Sequence, residues 1–225
     1  FLNMEAYTSF ARVYDTFMEY TTKAYASEKS PLELSFIPIH PGDILSYGGY
    51  HFEVKLLKGH TFGQCGLYEP EKKLMFVGDQ LMTTIVPIVG TQETDLGMLK
   101  CYLDSLGDLK HNYKDCYFLP CHYGEIRNVE KEVNRIILGY LEKCEIMKHV
   151  LEEAGTALTT RDIGVRTYGR SQGPPDYAHF ASCTYIWAKT FSCMEYMMGE
   201  GFVERSERDG IIYWKAPSIH FENNR

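Results

Sequence analysis

His60, Asp79 and His122 are the residues whose type and context could carry chemistry. Each stands where an apolar run gives way to a turn. Gly59-His60-Thr61-Phe62-Gly63 follows His51-Phe52-Glu53-Val54-Lys55-Leu56-Leu57, Gly78-Asp79 ends Lys73-Leu74-Met75-Phe76-Val77, and Cys121-His122 follows Tyr117-Phe118-Leu119-Pro120. Imidazole nitrogen and carboxylate oxygen suit zinc, iron or manganese, and donors far apart in sequence converge when their strands are neighbours. Strand ends are also where open α/β sheets place their chemistry. Singly, each residue has a plain structural reading: His60 as a core histidine satisfied by a backbone carbonyl, Asp79 as a loop cap, His122 as a partner for a carboxylate. Their joint placement at three strand ends favours the metal reading.

The order and surroundings of these motifs resemble the metallo-β-lactamase superfamily. A Gly-His-Thr-x-Gly turn, a Gly-Asp after a strand and a His after a Pro-x pair appear at Gly59 to Gly63, Gly78-Asp79 and Pro120-Cys121-His122. The resemblance covers about residues 34 to 150. It implies metal-assisted hydrolysis, in which one or two cations, Zn2+ or else Fe or Mn, lower the pKa of a bound water to about 7 and polarise a carbonyl or phosphoryl group. In that scheme His60 binds the first metal, Asp79 bridges or binds the second and takes part in catalysis, and His122 binds the second. Thioesters, esters, lactones, β-lactams and phosphodiesters are all handled by such a core, so the substrate is a small molecule whose identity lies in the walls. The pattern departs at Cys121 and Tyr123, where the family often has glycine before this histidine and Gly or Arg after it; both reshape the pocket rim.

The family's His-x-His-x-Asp-His cluster does not occur in the chain. His40 and His51, the histidines before Gly59, lack the Asp-His pair. The expected fold class is α+β: an αββα metallo-β-lactamase sandwich, mainly its C-terminal half, over residues 1-144, followed by a winged-helix-like module over 145-225. The family stacks two sheets face to face, so Phe52, Val54, Leu56, Leu74, Phe76 and Phe118 are expected between them and need a cover. The expected cover is a second copy of the chain or a retained N-terminal piece. The alternative to an incomplete hydrolase is an inactive binding or scaffold protein that keeps the fold without the first ligand cluster.

With 225 residues, 44% hydrophobic and 24% charged, the chain can bury a sizeable core and has neither a disordered nor a membrane composition. A net charge of −7 argues against general affinity for nucleic acid or anionic membrane. Seven cysteines without a Cys-x-x-Cys pair suit neither a disulfide framework nor a structural zinc module, which points to a reducing cytoplasm. Cys121, beside His122, reads as a small buried hydrophobe.

Residues 1 to 30 carry Phe10, Val13, Tyr14, Phe17 and Met18 at helical spacing, with Tyr7, Tyr14, Tyr20 and Tyr25 on a core or pocket-lining face. Pro41-Gly42-Asp43 and Gly48-Gly49 bracket a short strand. Strands are expected at 51 to 57, 65 to 69 and 73 to 77, then a helix at 94 to 109 with Asp95 near its start and Leu96, Leu99, Leu103 and Leu106 on one face. A long helix runs from Asn128 to Glu153, ending at Ala154-Gly155, with Val129, Val133, Ile136, Ile137, Tyr140, Leu141, Ile146, Val150 and Leu151 as its apolar set. A short helix begins at Thr159 to Gly164, another occupies about 178 to 199, and Asp209-Gly210 turns a hairpin over 201 to 214. Residues 145 to 217 carry eight Lys and Arg against ten Asp and Glu, and the presumed recognition helix offers only Lys189 against Glu195 and Glu200. Such a module is a poor DNA reader and is expected to serve packing or dimerisation.

Overall fold

The computed structural model describes residues 38–89, 97–169 and 177–217, the side chains of 177–184 excepted. The expected helix and tyrosines of residues 1 to 30, and Asp95 and Leu96, lie outside the described residues. A five-stranded sheet is built from β1 (Ile44–Tyr47), β2 (Tyr50–Leu56), β3 (Cys65–Glu69), β4 (Leu74–Gly78) and β5 (Tyr117–Pro120), in that spatial order. β1 to β4 pair antiparallel in turn, and β4 pairs β5 in parallel. β2, β4 and β5 therefore run the same way, so the segments that follow them, carrying His60, Asp79 and His122, leave from one edge of the sheet.

The helices are α1 (Met98–Asn112), α2 (Val129–Ala154), α3 (Thr160–Tyr168) and α4 (Tyr177–Gly199). α1 starts later than expected, with Gly97 in the left-handed region and no side-chain cap. Its core positions are Met98, Leu99, Tyr102, Leu106 and Leu109, so the apolar face extends through Tyr102 and Leu109, beyond the leucine repeat. In α2 the Asn128 side chain accepts from Lys131 N, and Gly155 closes the other end in the left-handed region. Leu141 and Ile146 lie exposed on α2, while Cys144 and Met147 take the core positions.

Met75, Val77 and Phe118 join the helices in one continuous core, whereas Val54, Leu74 and Phe76 are buried outside it. Phe118 thus packs toward the helices, because Tyr117-Phe118-Leu119 pairs with β4 in the register Phe118 to Met75. That corrects its expected place between two sheets. Leu56 is likewise not enclosed, being 42% exposed. Phe52 packs edge-on against Phe76 with ring centroids 5.7 Å apart.

The C-terminal part holds α3, α4 and a small sheet of β6 (Leu158–Thr159), β8 (Ile211–Lys215) and β7 (Glu204–Arg208), in that spatial order. Thr159 caps α3 through a reciprocal capping box with Asp162. Asp209 and Gly210 both have positive φ, 51° and 72°, which matches the right-handed twist of the β7–β8 hairpin. Trp214 anchors β8 in the core and donates to Thr160 Oγ1 at 2.8 Å. Among the described residues no helix is long and apolar enough to cross a membrane.

Candidate metal centre

The His60 turn is held from inside. Leu57 N donates to Gln64 O at 2.7 Å, closing the loop after β2, and Gly59 N donates to Thr61 O. Gly59 has φ 149°, and a Cβ there would lie 2.3 to 2.7 Å from the Cδ2, Cβ and Cα of Tyr102. Glycine is required because the turn lies directly against α1. Buried Gln80 locks the same turn: its Oε1 accepts from His60 N at 3.3 Å, and its Nε2 donates to Lys58 O at 3.2 Å and Ser105 Oγ at 3.0 Å. The buried Tyr102 hydroxyl donates to Gln80 O at 2.8 Å.

Asp79 leaves β4 after Gly78, which has φ 56° and whose Cβ position is filled by the Gln64 side chain. Gln64 Nε2 donates to Val77 O and Cys65 O. The β4–β5 pairing continues past the strands through Cys121 N to Gly78 O at 3.2 Å, which brings the His122 segment beside Asp79. Gln80, Gln64 and Tyr102 are positioning residues that motif reading did not single out. The sequence signal for Gln80 is its place directly after Gly78-Asp79, with an amide that can both donate and accept.

All three expected donors come together around the Asp79 carboxylate. His60 Nε2 lies 3.7 Å from Asp79 Oδ2, and His122 Nε2 lies 3.5 Å from Asp79 Oδ1. Neither separation is a hydrogen bond of normal length. Asp79 Oδ1 is buried and accepts no hydrogen bond. The other His60 nitrogen, Nδ1, is 2.9 Å from Ile88 O. A carbonyl only accepts, so Nδ1 carries a proton there, and Nε2 is the ring nitrogen that faces the carboxylate. A backbone carbonyl fixing one nitrogen while the other faces a carboxylate is the arrangement of a metal-ligating histidine. The structural reading of His60 as bonded to a backbone carbonyl is met at Nδ1.

In donor type His60, Asp79 and His122 suit part of the coordination shell of a divalent cation. His60 and His122 approach different oxygens of Asp79, and among the described residues no group of three or more His, Cys, Asp or Glu side chains is placed to hold a metal ion. His51 and His40 do not join them: His51 Nδ1 pairs with Ser46 Oγ at 2.8 Å, and His40 N donates to Asp43. Cys121 is half-buried, and its thiol is pushed up to about 11, by burial first and by Asp79 second. It is a neutral thiol near pH 7.

The loop from Leu81 to Val89 hangs on carbonyl contacts. Arg135 donates to Met82 O and Ile85 O, Lys189 to Val86 O at 3.0 Å, Tyr140 to Pro87 O at 2.6 Å, and His60 to Ile88 O. Lys189 points inward to the loop that follows Asp79, and burial lowers its pKa. The cation expected on a recognition helix is thus bonded to the Val86 carbonyl. Tyr185, one turn earlier on α4, has a phenol pKa raised by burial first, then by Tyr123 and Asp79, and its ring centroid lies 5.5 Å from Lys189 Nζ.

No protein-family model matches the chain. A 40-residue stretch is 50% identical to hydroxyacylglutathione hydrolase GloC of Haemophilus influenzae, covering 18% of this chain and 19% of that enzyme. A metallo-β-lactamase family protein from Thermus thermophilus superposes with TM-score 0.68 at 20% identity, over 92% of this chain and 67% of that one. A β-lactamase domain protein from Burkholderia ambifaria does so with TM-score 0.69 at 19% identity, over 81% of this chain and 53% of that one. The chain thus spans about a fifth of the curated relative and about half of the second structure. At these identities the likeness establishes architecture: the chain has a mixed α+β fold that matches proteins of the metallo-β-lactamase superfamily.

Proposed function

We propose that this chain supplies part of the metal-holding face of a zinc-type hydrolase that acts on an ester, thioester, lactone or related small molecule. The observation that carries the reading is the Asp79 carboxylate set between His60 Nε2 and His122 Nε2, with a buried oxygen that accepts no hydrogen bond. His60, Asp79 and His122 would hold one or two cations, Zn2+ or else Fe or Mn, as part of a larger ligand set. A cation held there would make water more acidic and act as a Lewis acid toward the scissile carbonyl. Ile88 O keeps the His60 ring turned toward Asp79. Gln80 and Tyr102 keep the turn in place, and Asp79 presents one carboxylate oxygen to each imidazole. The likeness to a hydrolase over 40 residues supports the same class of reaction.

Metal analysis of the intact protein tests it, with about two transition-metal ions per chain expected. Full metal content in a protein carrying both His60→Ala and His122→Ala overturns the assignment.

A second reading, an inactive binding or scaffold protein, is favoured by one observation: the described donors do not close a metal-holding set. Absence of His-x-His-x-Asp-His from the complete reading frame would select it.

The C-terminal part acts as a winged-helix-like packing module in this proposal. Its order of helices and the β7–β8 hairpin support that reading, and its acidic balance and inward-turned Lys189 speak against duplex DNA. A cytoplasmic setting is supported by free cysteines at all six described positions.

A further inference from the structure

We infer that Lys189 and Tyr140 are positioning residues for His60: they fix the segment Val86-Pro87-Ile88, whose last carbonyl holds the His60 ring, so the packing of α4 sets the direction of the imidazole that faces Asp79. The consequence for metal binding rests on the hydrolase reading above, whereas the positioning itself does not.

Successive carbonyls of this segment are each taken by a side chain from a different element. Val86 O accepts from Lys189 Nζ of α4 at 3.0 Å, Pro87 O from the Tyr140 hydroxyl of α2 at 2.6 Å, and Ile88 O from His60 Nδ1, after β2, at 2.9 Å. Upstream, Arg135 of α2 donates to Met82 O at 2.6 Å and Ile85 O at 3.2 Å, so the loop is already fixed where it reaches Val86. Residues 86 to 89 belong to no helix or strand. Their path therefore depends on these side chains and on the burial of Pro87 and Val89. Lys189 is the strongest of the donors, because a hydrogen bond from an ammonium holds a carbonyl more firmly than one from a neutral group.

The segment is too stiff and too short to absorb a shift between its anchors. The pyrrolidine ring locks φ of Pro87 near −65° and confines Val86 to extended backbone. Val86 and Ile88 are two residues apart, a span of at most about 7 Å, which leaves few soft torsions between Lys189 and His60. Val86 also sits close against α2, since a Cβ at Gly139 would lie 3.3 Å from its Cγ2. The two anchors support each other: Lys189 Nζ lies 5.8 Å from the Tyr140 ring centroid. Tyr140 in turn meets Tyr102 edge-on, with centroids 5.9 Å apart, and Tyr102 is the residue against which Gly59 packs. The His60 turn is thus held from two sides, its backbone by Gln80 and its ring by the strut that Lys189 and Tyr140 fix.

The test reads the His60 Hδ1 proton by NMR on the intact protein with isotope-labelled histidine, with and without a chelator, and His60→Ala supplies the assignment. Lys189→Met and Tyr140→Phe each remove one anchor and keep most of the packing volume. Each is expected to speed exchange of Hδ1 with water about five-fold or more. Gly210→Ala, a modest destabilisation at the distant β7–β8 turn, keeps the rate within about two-fold of the parent and separates positioning from general loosening. Zn2+ affinity in the two anchor variants is expected to fall about ten-fold, as when a ligating histidine loses its outer partner. An exchange rate unchanged in both Lys189→Met and Tyr140→Phe overturns the inference, as does an equal increase in Gly210→Ala. A parent protein whose Hδ1 exchanges too fast to be seen overturns it too. Faster exchange in both anchor variants of a protein that binds no Zn2+ supports the positioning and removes the hydrolase reading, so the two failures are distinguishable.

Discussion

Gln80 holds the His60 turn with both ends of its amide: Oε1 accepts the His60 backbone N–H while Nε2 donates to Lys58 O and Ser105 Oγ. The residue after one candidate ligand thereby fixes the backbone of another. All of these bonds are made by a side chain with no exposure, so their loss leaves buried groups unsatisfied. Gln80→Leu is expected to cost about 2–4 kcal/mol of stability and to weaken metal binding at His60. Urea unfolding and metal titration of the variant check both; a neutral effect on each would mean that water replaces the amide.

Gly59→Ala should be among the most damaging small substitutions in the chain. Its methyl would enter the space of Tyr102, including the helix backbone at Cα, at a φ that L side chains rarely adopt. A loss of about 3 kcal/mol or more follows from overpacking plus backbone strain. Thermal unfolding beside Gly63→Ala, where a Cβ meets nothing within 4 Å, isolates the effect.

At the β7–β8 turn, Gly210→Ala places a methyl in open space but keeps the left-handed φ of 72°. Only backbone strain acts, so the expected loss is about 1 kcal/mol, read as a lower denaturant midpoint at unchanged slope. A change in slope would point instead to an altered hairpin.

Lys189→Met tests how the buried amine behaves with pH. Burial lowers the Lys189 pKa from 10.5, so the unfolded chain binds more protons than the folded one between the two values. The cost of the buried charge is full below the folded pKa and is relieved as pH rises toward 10.5. The stability of the parent relative to Lys189→Met should therefore increase between about pH 7 and about pH 10. Equilibrium unfolding of both proteins at the two conditions measures it. A pH-independent difference would show that Lys189 is neutral or fully solvated.

Residue order alone specified where strands end and where local chemistry turns the chain. His60, Asp79 and His122 were legible because glycine, proline and aspartate punctuate apolar runs at those points. Asn128 and Gly155, Thr159 with Asp162, and Asp209-Gly210 are local devices, and each appears where the sequence places it. Whatever depends on strand direction and pairing was set by the three-dimensional arrangement instead. Phe118 faces the helices because β5 joins β4 in parallel at one register, which no period-two pattern specifies. Tyr102 and Gln80 matter through the close approach of α1 to the Gly59 turn, a contact between segments distant in sequence. Lys189 carries a charge that composition assigns to the surface, yet it is drawn inward because the Val86 carbonyl needs a donor where the loop from Asp79 meets α4.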